Sequence, residues 1–210
     1  ADMYINILEQ LGVTDTDNHG LHISTCPAWE EAAKVFYKEQ GLQEGDKLIG
    51  FNVGSAVAEK RWPKERFGAV ADYFAAKGYK PVFFGGPMDQ DMVQEVVRQM
   101  KTQPIVATGH FSIGQLAAAM KACSLIITND SGPMHVAISQ GVPIVALYGP
   151  SNPMFYGPYK AKAIILESMD NYEIGKSMKQ IIKEGHYKGI SVITQDQVIE
   201  AANQLLEDTK

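Results

Sequence analysis

The sequence predicts an α/β fold built on a doubly wound parallel sheet, and three observations carry that prediction. Short β-branched runs alternate with amphipathic stretches from Lys47 to Gly149. The runs are nearly continuously apolar, as strands covered on both faces must be. All but the last are followed by a Gly-, Pro- or Ser-containing loop and then a helical stripe. Composition allows such a core, with 45% apolar and 20% charged residues in a chain of 210.

KLIGFNV (47–53) reads as the first strand. From Lys64 to Ala76 the side chains of Phe67, Val70, Ala71 and Phe74 recur at helical spacing, and Gly78 stops the helix. KPVFF (80–84) is the second strand, ended by Gly85-Gly86-Pro87. Met88–Met100 follows as a helix with Met92, Val96 and Val97 on one face, then a brief strand at Ile105-Val106. Ser112-Ile113-Gly114-Gln115 is a capping box that opens a helix through Leu116, Ala117 and Met120. LIIT (125–128), a short helix Pro133–Gln140 and the strand PIVALYG (143–149) complete five strands and four helices. A second capping box, Thr194-Gln195-Asp196-Gln197, opens a terminal helix with Val198, Ala202, Leu205 and Leu206 inward. Ahead of the sheet lie two helix-like stretches, Tyr4–Leu11 and Trp29–Gln40, and a candidate strand Leu21–Ser24. No βα unit closes there, which suggests a piece of a longer chain.

Nineteen basic against twenty-four acidic residues leave a net charge of −5, which argues against a nucleic-acid partner. Cys26 and Cys123 form neither a disulfide framework nor a metal spacing, and His19, His22, His110 and His186 show no ligand pattern. The expectation is therefore a cytoplasmic protein with no metal and no bound cofactor. The start of the chain lacks a signal-peptide pattern, and no apolar run has membrane-spanning length.

Ligands of open α/β sheets sit beyond the carboxyl ends of the strands, so the loops there carry the candidate chemistry. After the first strand comes Gly54-Ser55, with Lys60-Arg61 further on. The glycine permits close backbone approach, and the hydroxyl and bases suit an anionic oxygen. An ordinary solvated loop would also contain these residues. After the fourth strand comes Asp130-Ser131-Gly132-Pro133-Met134-His135. Pro133 suits a first helical turn, whose amides favour an anion, and Gly132 leaves the approach open. Asp130 or Ser131 can equally serve only as a helix cap, and His135 can face a ligand or the core. The loop Tyr148–Pro153 is either a rigid turn or one wall of a cleft. Gly175-Lys176-Ser177 imitates the end of a P-loop but has Asp170 in place of the first glycine. A G-x-G-x-x-G after a strand is lacking, which disfavours a Rossmann oxidoreductase.

Taken together, Asn52–Ser55 with Lys60-Arg61-Trp62-Pro63, Val82–Gly86, Thr128–His135 and Pro143–Pro150 closely resemble glycosyltransferase family 9. These are the lipopolysaccharide heptosyltransferases that use ADP-heptose. The likeness runs from about Asp46 to Tyr159. It implies a GT-B enzyme, with this chain similar to the C-terminal, donor-binding domain. Residues 44–166 would form that Rossmann-like domain, 1–43 the linker and tail of an N-terminal domain, and 167–210 a helical extension packing back toward that half.

By the same resemblance, Ser55 and Lys60 would contact the donor diphosphate. Asp130, Ser131, Gly132 and His135 would line the donor pocket, and Phe111 would face the adenine. Gly54, Arg61, Gly86, Asp89, Pro133 and Met134 form a second group around them. Asp89 is the nearest candidate for the ribose, displaced by Pro87 and Met88 from the Gly-Gly turn. The implied reaction is inverting heptosyl transfer to a lipopolysaccharide core acceptor, with the catalytic base and the acceptor surface in the N-terminal half. This chain alone would then bind donor without turnover, at or near the cytoplasmic face of the inner membrane. A GT-B-like nucleotide-sugar epimerase and a non-catalytic nucleotide-binding module are the alternatives.

Overall fold

A computed structural model describes residues 7–8, 10–13, 19–169, 176–185 and 187–208. It contains one six-stranded parallel sheet in the order β3-β2-β1-β4-β5-β6, the order of the Rossmann fold. The strands are β1 (Lys47–Asn52), β2 (Tyr79–Phe84), β3 (Ile105–Val106), β4 (Cys123–Asn129), β5 (Ile144–Tyr148) and β6 (Ala163–Glu167). Five of them match the sequence expectation. The sixth goes beyond the sequence expectation: Ala163–Leu166 is an apolar run like its neighbours, but it forms an edge strand that is only half-buried, with Glu167 exposed.

The helices are α1 (Pro27–Glu39), α2 (Lys64–Ala76), α3 (Gln90–Gln99), α4 (Ile113–Met120), α5 (Gly132–Ile138), α6 (Pro153–Tyr156), α7 (Met178–Lys183) and α8 (Gln195–Glu207). Two cores lie on opposite faces of the sheet. On one, Phe67, Val70, Ala71 and Phe74 of α2 meet Ile49, Phe51 and Phe83, together with Val198, Ala202 and Leu205 of α8. On the other, α4 and α5 pack against Val82, Ile126 and Ile144. Both faces are thus covered, which explains the unbroken apolar strands.

The outer segments are tied to these cores. Pro27–Glu39, expected within a linker, buries Ala33, Phe36 and Tyr37 against α4, and the Tyr37 hydroxyl donates to the Ala119 carbonyl at 2.9 Å. Leu21–Ser24 is irregular rather than a strand. Its Ile23 carbonyl accepts a bond from the Gln140 side chain (2.8 Å) instead of joining the sheet ladder. Half of the expected Tyr4–Leu11 helix lies outside the described residues, as do Asp170, Gly175 and His186. Both capping boxes form as read. The α8 helix lies along α2 and β4–β6, so its apolar stripe is buried on this sheet. Among the described residues no helix is long and apolar enough to cross a membrane.

Candidate donor-binding site

The strand order reverses between β1 and β4, and a switch point of this kind opens a crevice beyond the strand ends. The first candidate loop leaves β1 there and the second leaves β4. They are joined by side chains 70 or more positions apart in sequence. Lys60 Nζ lies 2.6 Å from Asp130 Oδ2, and the Ser151 hydroxyl donates to the same carboxylate oxygen. Ser55 Oγ donates to the Asp130 carbonyl at 3.4 Å, and Arg61 Nε donates to the Ser55 carbonyl at 2.7 Å.

Two asparagines at the ends of adjacent strands hold the crevice together. Asn129 Nδ2 donates to the Val53 carbonyl (2.8 Å), and its Oδ1 accepts the Trp62 amide (3.0 Å). Asn52 Nδ2 donates to Ser131 Oγ (2.8 Å), Thr128 Oγ1 (3.2 Å) and the Gly54 carbonyl (3.3 Å). Both hydroxyls give their own protons to the Asn129 carbonyl. They must therefore accept from Asn52, which leaves Asn52 Oδ1 without a hydrogen-bond partner in a residue 1% exposed. Such an orphan is uncommon in a native interior and calls for a functional explanation.

Gly54 and Gly149 allow two close approaches. A Cβ on Gly54 would fall 2.2 Å from Asp89 Oδ1, so the Asp89 carboxylate occupies the space a side chain would need. Asp89 Oδ2 also accepts the Gly86 amide at 2.8 Å. Gly54→Ala is expected to expel Asp89 from this position at a cost of about 1–3 kcal/mol, by overpacking. A thermal melt and an ADP titration of that variant check it. At Gly149 a Cβ would meet the Glu59 carbonyl at 2.7 Å. The Lys60 loop therefore rests directly on the end of β5.

The remaining candidates are spread along the same rim. Gly132 and Pro133 begin α5, and a Cβ on Gly132 would meet open space, so packing does not require the glycine. Met134 turns inward, 0% exposed, with the Tyr148 hydroxyl on its sulfur at 3.6 Å. It builds the wall behind the crevice. Phe111 lies half-buried beyond β3, edge-on to Phe36 and His110 at 5.0 and 4.9 Å, two strands from the Lys60–Asp130 pair. The Gly109 amide links its loop to Gly85 (2.9 Å). Among the described residues no cluster of three His, Cys, Asp or Glu side chains could hold a metal.

Residues 5–187 match the family model described as glycosyltransferase family 9 (heptosyltransferase). The chain belongs to glycosyltransferase family 9. It is 34% identical over 164 residues to lipopolysaccharide heptosyltransferase 2 of Escherichia coli K12, covering 76% of this chain and 47% of that protein. Among solved structures, the family 9 glycosyl transferase from Veillonella parvula DSM 2008 is 70% identical with a TM-score of 0.94. That match covers 99% of this chain and 59% of the other. The Escherichia coli ADP-heptose LPS heptosyltransferase II superposes with a TM-score of 0.74 at 28% identity, over 92% of this chain and 56% of that one. The chain spans about half the length of the curated relatives it matches.

Within this family 9 domain, His135 stands one turn into α5, half-buried. Burial pushes its imidazole below the ordinary histidine value, against the opposing pull of the Asp130 carboxylate. A depressed pKa means that the unfolded chain takes up the proton first. The stability His135 contributes is therefore complete above about pH 6.5 and declines as pH falls below it. Melting curves between pH 7.5 and 5 should show a slope that His135→Gln flattens. An unchanged slope would assign the loss to other groups. Sequence reasoning missed Asn52 and Asn129 as cross-links and Ser151 as the second partner of Asp130. Their one sequence signal is position, at the last residues of β1 and β4 and in the loop after β5.

Proposed function

We propose that this chain is the C-terminal, donor-binding half of an inverting heptosyltransferase. It takes the donor ADP-heptose, and heptose passes to a lipopolysaccharide core acceptor held by an N-terminal half. The observation that carries the reading is the Lys60–Asp130 pair across the β1/β4 switch point, in a chain of family 9. Two curated relatives are heptosyltransferases named for lipopolysaccharide or lipooligosaccharide, and a related solved structure is named for ADP-heptose.

The chemistry is consistent with the residues. Breaking the bond between heptose and diphosphate builds negative charge on the leaving group. A lysine and hydroxyl aimed at that group stabilise the transition state more than the ground state. Ser55, Lys60, Ser131 and the backbone at Gly132 take the diphosphate, and Asp89 takes the ribose. The orphan Asn52 oxygen and the open space at Gly132 both support a ligand at this crevice. The base that activates the acceptor belongs to the N-terminal half. The enzyme works in the cytoplasm, in peripheral contact with the inner membrane where its lipid-linked acceptor resides.

Calorimetric titration with ADP, UDP, GDP and NAD tests the donor. ADP should bind most tightly. Incubating this chain joined to the N-terminal half with ADP-heptose then tests the reaction, with ADP release expected only when a core acceptor is present. A rearranged nucleotide sugar formed without acceptor would make the protein an epimerase, and donor binding with no turnover would make it a binding module. No binding of any nucleotide would overturn the reading.

A further inference from the structure

Beyond Lys60, on the side of β5 and β6, lies a cavity of about 590 Å³. That is within the roughly 300–1,000 Å³ of small-molecule sites. Lys60, Ser151, Asn152, Phe155, Tyr156 and Ser177 line it. Two of these are aromatic rings that core packing does not explain. Phe155 is 57% exposed and Tyr156 59%, and neither joins either hydrophobic core. Their backbone is nevertheless fixed. The buried Tyr148 hydroxyl donates to the Tyr156 carbonyl at 2.7 Å, and the Asn152 side chain caps α6 by accepting the Met154 amide at 2.8 Å. Lys60 Nζ stands 5.8 Å from the centre of the Tyr156 ring, so the ammonium and the ring border the same space.

The order of groups along the rim gives this cavity an occupant. Phe111 follows β3, Asp89 follows β2, Lys60 and Asp130 flank the β1/β4 switch, and Tyr156 follows β5. A nucleotide sugar is a linear molecule: base, ribose, diphosphate, sugar. With Asp89 at the ribose and Lys60 at the diphosphate, the molecule runs from β2 toward β5, about 14 Å across three strand spacings. Its sugar must then arrive at the cavity.

We infer that this cavity seats the glycosyl group of the donor, with Tyr156 as the platform that recognises it. The inference rests on the donor reading above. A sugar ring has a C–H face and a rim of hydroxyls. The Tyr156 ring covers the first, and Ser151, Asn152 and Ser177 supply partners for the second. Tyr156 is thus a specificity-determining residue that distinguishes a sugar-bearing donor from the bare nucleoside diphosphate.

The test is calorimetry on the full chain with ADP and with ADP-heptose as probes. Wild type should prefer ADP-heptose. Tyr156→Ala should lose roughly five- to ten-fold in affinity for ADP-heptose, as expected from uncovering one face of a sugar ring, and keep its affinity for ADP. Tyr156→Phe should retain the preference, because the ring provides it. The exposure of Tyr156 makes the variant safe for folding, and a melting curve confirms that. An unchanged affinity of Tyr156→Ala for ADP-heptose overturns the inference and leaves the donor reading intact. A parallel loss for ADP also overturns it, by placing a base or ribose on the ring. If wild type binds neither probe, the donor reading falls and this inference falls with it.

Discussion

Lys60→Ala is expected to weaken ADP binding by ten-fold or more and to lower the melting temperature. A charge-assisted bond to phosphate contributes about 1.5–3 kcal/mol, which converts to that loss of affinity. The stability effect has a different origin. Asp130 is 5% exposed and shares one carboxylate oxygen between Lys60 and the Ser151 hydroxyl. Removing the lysine leaves a buried charge with a single neutral donor, a stranding more costly than the loss of the pair itself. The Lys60 side chain is 17% exposed, so water screens part of the attraction. A loss of about 1–2 kcal/mol follows, a few degrees for a domain of this size. The double variant Lys60→Ala with Asp130→Asn separates the effects. Its neutral amide removes the stranded charge, so the melting temperature should recover while ADP affinity stays low. If affinity recovers as well, Lys60 acts only through the fold and not on phosphate.

Sheet order explains why some of this site could be read from sequence and some could not. The Asp130-Ser131-Gly132-Pro133 element is contiguous and follows an apolar strand, so its place at a helix start can be inferred locally. Gly54-Ser55 is equally local to the end of β1. The bond from Asn52 to Ser131 is not, because it exists only once β1 and β4 become neighbours. An asparagine beyond a strand reads as a turn residue until that pairing is known. The same holds for Lys60 with Asp130 and for Ser151. In the fold, β1, β2, β4 and β5 are apolar runs buried on both faces, whereas β6 has a comparable run, Ala163–Leu166, but is only half-buried at an edge, with no helical stripe directly after it to mark a further βα unit. Within residues 1–43, Ala33, Phe36 and Tyr37 trace a helical stripe. Their partner, α4, begins more than seventy residues later, so the contact is not local in sequence.

Asn129→Ala should have the largest effect on stability of any polar substitution in the crevice. The side chain spans two loops, donating to Val53 and accepting from Trp62. Val53 is 1% exposed and Trp62 2%. Neither backbone group can turn to water, so the variant leaves a buried carbonyl and a buried amide both unmet. At about 1–3 kcal/mol each the cost is roughly 2–6 kcal/mol, a fall of about 5–20 °C in Tm. Asn129→Asp preserves the acceptor for the Trp62 amide but sets a carboxylate oxygen against the Val53 carbonyl, so it should also destabilise. The damage extends to the site, because Trp62 closes the loop that carries Lys60. Its indole donates to the Ile193 carbonyl at 2.9 Å and packs edge-on to Phe67 at 5.1 Å, tying that loop to the segment before α8. Faster hydrogen exchange at the Trp62 amide and weaker ADP binding should therefore appear together in Asn129→Ala. If exchange accelerates while ADP affinity holds, the Lys60 loop keeps its position through Gly149 and the Asp130 pair alone. Asn129 would then be a fold residue that happens to border the site.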